Sequence, residues 1–193
     1  MKTTVDVTAT LLDRAIVPVV SGGVFLSRSS SPLKVIMRMS SDESCVAAIG
    51  GKIMFFPIES IRQGMKREVL EETTWDVNNF TFIAALPRLR IVELDVEETL
   101  QLGIRGEAVR EGTTPVLVCG ELLFGAHSEQ QLPEVPVEGR KLLRYDLAKK
   151  SGLPVKNRDS RAVQIYRRFA TGRALGLTAT ERDFTERLLR ACA

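Results

Sequence analysis

A short acidic segment is the feature that most constrains what this chain can fold into. From Arg67 to Glu72 the sequence reads REVLEE, which places three carboxylates and a guanidinium within six residues. At about 100° per residue in an α-helix, Glu68, Glu71 and Glu72 span an arc of roughly 100° and point to one side. A helix here would therefore present a concentrated negative charge along one edge.

An apolar stripe borders these carboxylates. Ile61, Met65 and Val69 recur at every fourth position, which is the spacing of one helix face. We therefore predict a helix over Glu59–Thr74 whose acids lie at the margin of a buried surface. An acidic helix is more often just a solvated face, and the helix alone leaves that alternative open.

Three like charges at such close spacing are unfavourable, because each raises the pKa of the others. Mg²⁺ prefers oxygen ligands and is often held by carboxylates together with substrate phosphates. The segment therefore favours a site for a metal and a phosphate. This interpretation requires that the carboxylates be available to a cation and not paired with neighbouring cationic side chains.

The residues before the helix extend the pattern. Gly50-Gly51-Lys52-Ile53 precedes it, Glu59 lies eight positions before Arg67, and Trp75 provides a bulky apolar residue after the glutamate pair. This arrangement resembles the Nudix box, G-x5-E-x7-R-E-U-x-E-E-x-G-U, where U is a bulky apolar residue. That box is the signature of hydrolases acting on nucleoside diphosphates linked to another moiety.

Two positions depart from the box. Glu59 lies eight positions after Gly51 instead of six, so the segment 54–58 carries a two-residue insertion that is able to displace the glycine loop. Thr74 stands where the box has glycine. The residue just past a helix often needs a positive φ, which glycine adopts freely. We therefore expect the helix to end differently here.

The resemblance implies an α/β fold, a Nudix-type α/β/α sandwich with a mixed central sheet and extra C-terminal helices. It also implies a pyrophosphohydrolase that depends on Mg²⁺, or on Mn²⁺ in its place, and cleaves a diphosphate linkage in a nucleotide derivative. The implied metal ligands are Glu68, Glu71, Glu72 and the backbone carbonyl of Gly51. The implied catalytic residues are Glu68, as a ligand or as the base that activates water, together with Glu71 and Arg67, which would orient a glutamate.

Three further residues are predicted to contact the substrate. Lys52 follows the glycine pair, Glu138 lies downstream of a predicted strand, and Arg167 belongs to a basic C-terminal stretch. Members of the family often recruit an additional carboxylate from a downstream loop, which is the reason for including Glu138.

The rest of the chain alternates between strand and helix patterns. Strands are predicted at 15–26, 34–39, 80–86, 88–94, 116–124 and 141–147, and helices at 159–172 and 179–192. The polar, glycine-punctuated stretch 95–114 is predicted to be a loop, and loops of that length are often functional. We predict one Nudix domain over 1–155 and a basic helical segment over 156–193 packed on the same domain.

Charge is distributed unevenly along the chain. Residues 140–193 carry a net charge of +9 and the remainder −6. This asymmetry favours either a basic surface for RNA or a polyphosphate, or an amphipathic helix whose arginines are solvated or paired with acids. The expected partners are thus a nucleotide substrate and, through the basic segment, RNA. Many relatives pair, so a homodimer or a subunit of a complex is the expected assembly.

Composition disfavours several other classes of protein. No stretch approaches the ~20 apolar residues of a membrane span, and the first residues lack the layout of a secretory signal. Three cysteines without zinc spacing argue against a disulfide framework, so an intracellular location, cytoplasmic or in an organellar matrix, is expected. His127 is the only histidine, which disfavours serine or cysteine triads.

Three functions remain open at this point. The chain is interpreted first as a hydrolase of nucleotide derivatives. The second interpretation is a Nudix enzyme acting on RNA 5′ ends, or an RNA-binding subunit of an RNA-processing or RNA-stability complex. The third is a Nudix-fold module that binds its ligand without catalysis, and the insertion and Thr74 favour it.

Overall fold

The computed structural model describes residues 17–54, 58–101, 114–132, 134–135, 137, 139, 141–149 and 152–191. Within these residues seven strands form one sheet. They are β1 (Val17–Arg28), β2 (Ser31–Met39), β3 (Val46–Ala47), β4 (Lys52–Met54), β5 (Thr81–Leu94), β6 (Thr114–His127) and β7 (Leu142–Asp146).

The sheet is mixed. Its strand order is β3-β2-β1-β6-β5, with β4 also paired to β1 and β7 to β2. β1 runs parallel to β6 and antiparallel to β2 and β4. Because successive side chains of a strand point to opposite faces, Val24 of β1 enters one apolar core and Phe25 enters the other.

Helices cover both faces of this sheet. The described residues include α1 (Ile58–Thr73), α2 (Val96–Gln101), α3 (Ser160–Ala170) and α4 (Ala179–Ala191). The predicted apolar stripe of α1 is buried in one core together with Phe184 and Leu188 of α4. Ile165 and Tyr166 of α3 are buried in the other core. The predicted α/β/α sandwich with a mixed sheet and C-terminal helices is therefore confirmed.

Two predicted elements differ from the structure. The strands predicted on either side of Pro87 form a single strand, β5, whose register against β6 shifts between Pro87 and Arg90. A bulge lets a strand accommodate proline without ending. The segment predicted to be a loop begins with the helix α2, and residues 102–113 lie outside the described residues. No helix within the described ranges has the length and apolar character needed to cross a membrane.

The end of α1 corrects one expectation. Thr74 adopts a φ of 64°, and its N–H donates to the Leu70 carbonyl oxygen (2.8 Å). The helix therefore ends in the left-handed conformation that the glycine of the Nudix box would provide. A β-branched residue rarely adopts this conformation, so Thr74 stores local strain.

Replacing Thr74 with glycine should raise the free energy of unfolding, by at most about 1.5 kcal/mol. The left-handed conformation costs an L-residue about 1–2 kcal/mol, and glycine returns roughly 0.5–1 kcal/mol of that as unfolded-state entropy. Thermal unfolding checks this against Thr171→Gly, at a position where φ is −101° and glycine should destabilise. A lower Tm for Thr74→Gly would mean that the hydrogen bond from its hydroxyl to the Thr73 carbonyl (2.6 Å) outweighs the strain.

Candidate active site

The turn between β3 and β4 holds the glycine pair between the sheet and α1. The Gly22 N–H of β1 donates to the Gly51 carbonyl oxygen (2.9 Å). On the other side, the Gly50 N–H donates to Oε2 of Glu72 (3.1 Å). The Gly51 carbonyl oxygen, which the resemblance implies as a metal ligand, is thus engaged with the sheet.

Glu68 lies directly against this turn. A Cβ at position 51 would come within 2.6 Å of the Glu68 carboxyl carbon, closer than real Cβ atoms approach other atoms. The Glu68 side chain is only 12% exposed. Glycine at position 51 is therefore what allows a buried carboxylate to rest on the backbone of the turn.

Arg67 binds two of the three glutamates of the acidic helix. Its guanidinium donates to Oε1 of Glu68 (2.8 Å) and to Oε2 of Glu71 (2.7 Å). A longer bond to the Lys52 carbonyl oxygen (3.4 Å) ties the same group to β4. These charge-assisted bonds hold the Glu68 carboxylate against Arg67; that Arg67 orients a glutamate for catalysis stays a prediction.

Burial raises the pKa of the Glu68 carboxyl, and the neighbouring Arg67 guanidinium opposes this shift without cancelling it. For Arg67 burial acts in the opposite direction and lowers the pKa, but the charges of Glu68 and Glu71 outweigh it, so the pKa of Arg67 is raised. A carboxyl whose pKa lies above its ordinary value is better matched to accepting a proton near neutral pH. The raised pKa of Glu68 is compatible with the role of base that the resemblance implies for it, and that role stays a prediction.

Glu72 is the most buried of the three glutamates, with 3% of its side chain exposed. Its Oε1 accepts a hydrogen bond from Arg38 of β2 (2.8 Å), and its Oε2 accepts the bond from Gly50. A buried carboxylate needs both a cation and hydrogen-bond donors to offset its desolvation. Arg38 and the glycine turn supply them.

Arg38 is the residue of this site that the sequence reasoning missed. It lies 34 positions upstream of Glu72, in the apolar run Val35-Ile36-Met37-Arg38-Met39. The sequence did contain a signal for it: Arg38 is a charged residue inside an apolar run, two positions after Ile36, so both side chains point to the same face of the strand. Strand periodicity places it on the face of the sheet that α1 covers, where an arginine needs an acidic partner.

As placed, the three carboxylates do not fit a divalent cation. Arg67 pairs with both Glu68 and Glu71, and Arg38 pairs with Glu72, so two guanidinium groups engage all three carboxylates. Among the residues that the structure describes, no group of three or more histidine, cysteine, aspartate or glutamate side chains is arranged to hold a metal ion. The backbone of Glu59 belongs to α1, but its side chain lies outside the described residues, as does Glu138.

Arg167 lies on a different part of the molecule from the acidic helix. It belongs to α3, which packs on the opposite face of the sheet from α1. With Arg161, Arg168 and Arg173 it surrounds an open hollow of about 460 Å³. The structure therefore does not bring Arg167 to the carboxylates of α1.

The arginines around this hollow are only partly neutralised. Arg161 forms two hydrogen bonds to Glu181 (2.8 and 2.6 Å), and Arg168 donates to the Ala174 carbonyl oxygen (3.3 Å). The Nε of Arg167 is buried and has no hydrogen-bond partner in the part of the chain that the structure describes.

His127 shares a hydrogen bond with the Ser27 hydroxyl (3.0 Å), which is a structural role.

No protein-family model and no curated protein matches this chain. Similar solved structures include the E. coli ORF135 protein, at 14% identity, a TM-score of 0.49, 83% coverage of this chain and 96% of that one. The mutator MutT protein from Bacillus halodurans has 19% identity, a TM-score of 0.48 and coverages of 79% and 81%. The NUDIX domain of Shewanella oneidensis NrtR complexed with ADP ribose has 16% identity, a TM-score of 0.46 and coverages of 84% and 97%. Similarity at this level does not decide an activity.

Proposed function

We propose that this chain is a Nudix-type hydrolase that cleaves a diphosphate linkage in a nucleotide derivative. The observation that carries the proposal is the position of Glu68, Glu71 and Glu72. All three lie on one side of α1 at the Gly50-Gly51 turn, in the order and spacing of the Nudix box. Glu68 and Glu72 are largely shielded from solvent while Glu71 is 41% exposed, so this edge combines a sheltered candidate base with a carboxylate that solvent reaches.

In the proposed reaction Glu68 accepts a proton from water. The water oxygen then forms a bond to one phosphorus, and the bond from that phosphorus to the bridging oxygen breaks. The departing phosphate keeps the electron pair. Arg67 orients Glu68, while Lys52, which follows the glycine turn, is proposed to bind the substrate phosphates.

Dependence on Mg²⁺, with Mn²⁺ as a substitute, is part of this proposal and needs its own test. A cation would compete with Arg38 for Glu72 and with Arg67 for Glu68 and Glu71. Activity that rises with the concentration of the cation would support the dependence, and activity that is the same after removal of the cation with EDTA would contradict it.

The second candidate function is a module that binds its ligand without catalysis. The Arg38–Glu72 ion pair favours it, because that pair neutralises a buried carboxylate that the Nudix box would assign to a metal. Action on RNA 5′ ends is a variant of the first proposal, supported by the exposed cluster of Arg168 and Arg173 beside the hollow.

One substrate panel separates these functions. Nucleoside triphosphates, nucleoside diphosphate derivatives and 5′-triphosphorylated RNA are incubated with and without Mg²⁺ or Mn²⁺, and phosphate or pyrophosphate release is measured. Glu68→Gln should lower the rate by about 10²-fold, the low end of what a general base contributes. Glu186→Gln, an exposed glutamate of α4, is the matched control and should leave the rate unchanged.

The outcomes of the panel point in different directions. Release from small nucleotides supports the first proposal, and release from RNA alone supports the RNA variant, whose binding should also weaken with salt. Ligand binding with no turnover under any cation supports the module. Equal rates for Glu68→Gln and wild type would remove Glu68 from the chemistry.

A further inference from the structure

A second site lies beyond the C-terminal end of α1, where β1, β2 and β7 form a cavity of about 220 Å³. Its apolar wall includes Ile36 and Trp75, and three cations, Arg28, Lys34 and Arg144, line it together with several serine hydroxyls. Binding sites for small molecules commonly combine an apolar wall with a few polar groups. Here the polar groups are cations and hydroxyls.

The sheet register explains why the cations meet at this point. Arg144 of β7 pairs directly with Ile36 of β2. Lys34 lies two residues before Ile36, so it points to the same face of β2. Arg28 reaches the cavity from the end of β1. The three positively charged side chains are therefore grouped around the apolar side chain of Ile36.

Two nearby acids offset these charges only in part. Among the described residues that line the cavity, none is an aspartate or a glutamate. Glu129 comes only within 3.8 Å of Arg28 and is 70% exposed. Asp146, the cross-strand partner of Lys34, uses its Oδ1 to accept the backbone N–H groups of Ala148 and Lys149 (2.9 and 3.3 Å). The three cations outnumber these two acids, neither of which lines the cavity, so the cavity is suited to an anion.

The other lining groups narrow the class of anion. Ser30, Ser31, Ser128 and Gln130 provide hydroxyls and an amide, which match the hydroxyl groups of a sugar. Trp75 is largely buried in the core (5% exposed), and the part of its ring that remains accessible belongs to the apolar wall of the cavity. A bare phosphate would use the cations and leave the rest of the cavity unfilled.

We propose that this cavity binds a phosphorylated sugar, either free or as the sugar-phosphate part of a nucleotide. Its phosphate is held by Lys34, Arg144 and Arg28, and its hydroxyls bind the serine-rich wall. The site is distinct from the acidic helix, because Lys34 and Arg38 are about 13 Å apart along β2 at the usual strand rise. Binding at this cavity does not depend on hydrolysis, so the proposal is independent of the proposed hydrolase function.

Trp75 provides the readout. It is the only tryptophan of the chain, so ligand titrations of the full chain can be followed by intrinsic fluorescence and repeated by calorimetry. The probes are ribose 5-phosphate, AMP, inorganic phosphate and uncharged ribose. We expect saturable binding of ribose 5-phosphate or AMP that weakens as salt screens the charges, and none of ribose. The tighter of the two phosphorylated probes identifies the source of the sugar phosphate.

Variants test the cations directly. The double variant Lys34→Gln/Arg144→Gln should bind the better probe at least tenfold more weakly, because both side chains carry charge at the cavity. Arg182→Gln, an exposed arginine of α4, is the matched control and should bind as wild type. Glu68→Gln should also bind as wild type, which separates this site from the proposed hydrolase.

Three results would overturn the proposal. The first is no saturable binding of either phosphorylated sugar by either method. The second is unchanged affinity in the double variant, provided its circular dichroism matches that of wild type. The third is inorganic phosphate binding as tightly as ribose 5-phosphate, since the hydroxyl-rich wall would then contribute nothing.

Discussion

Replacing Gly50 with alanine is expected to destabilise the fold by about 2–6 kcal/mol, which combines about 1–3 kcal/mol of backbone strain with about 1–3 kcal/mol of overpacking. Gly50 has a φ of +135°, and a Cβ there would fall on the Gly22 carbonyl oxygen. That oxygen belongs to a buried strand and has no freedom to move aside. Urea denaturation followed by circular dichroism measures the loss.

The matched control is Gly172→Ala. Gly172 also has a positive φ, +65°, but no atom lies within 4 Å of the added Cβ. This substitution should therefore cost only the backbone term, about 1–2 kcal/mol. Equal losses in the two variants would mean that the turn at Gly50 yields easily and that close packing against β1 is unimportant.

Replacing Arg38 with alanine is expected to cost about 3–5 kcal/mol, the range for leaving one member of a buried ion pair without its partner. Glu72 would keep the Gly50 N–H but would lose its cation while only 3% exposed. Glu72→Ala should cost a similar amount, because it leaves the charge of Arg38 and the Gly50 N–H without their acceptor. Chemical denaturation of each variant gives both values.

The double variant Arg38→Met/Glu72→Leu decides whether the pair itself stabilises the fold. Replacing a buried ion pair with apolar groups of similar size is often neutral, so the double variant should be more stable than either single variant. The exposed pair Arg187–Asp183 (2.9 Å) serves as the comparison and should contribute at most about 1 kcal/mol. Additive losses in the double variant Arg38→Ala/Glu72→Ala, within about 0.5 kcal/mol of the sum of the two single variants, would contradict coupling between them.

Local patterns predicted much of the fold. The period of Ile61, Met65 and Val69 identified the helix and its buried face, and the structure buries all three side chains to 1% exposure or less. The alternating strands and the two C-terminal helices were also found, because hydrophobic period and turn residues are local signals. The end of α1 was predicted wrongly, since packing around Trp75 holds Thr74 in a conformation that its own propensity opposes.

In the candidate site, too, local patterns predicted some contacts and missed others. The contact between Arg67 and Glu71 follows from their i,i+4 helical spacing, so the sequence was enough to predict it, whereas the contact with the adjacent Glu68 does not follow from that spacing. The contact between Arg38 and Glu72 joins two elements separated by more than thirty residues. A local pattern contains no information on which distant side chain will face which, and the sheet order is needed to bring β2 beside α1.

By itself the sequence determined which residues carry charge, which face of each element is apolar, and that three carboxylates share one side of α1. Only the tertiary structure decided what neutralises those carboxylates, since Arg38 and the Gly50 N–H approach Glu72 through the packing of the turn against the helix. It also decided that Lys34 and Arg144 meet around one cavity. The physical reason is that charge and periodicity are properties of the local chain, whereas the partner of a buried charge depends on strand order and register.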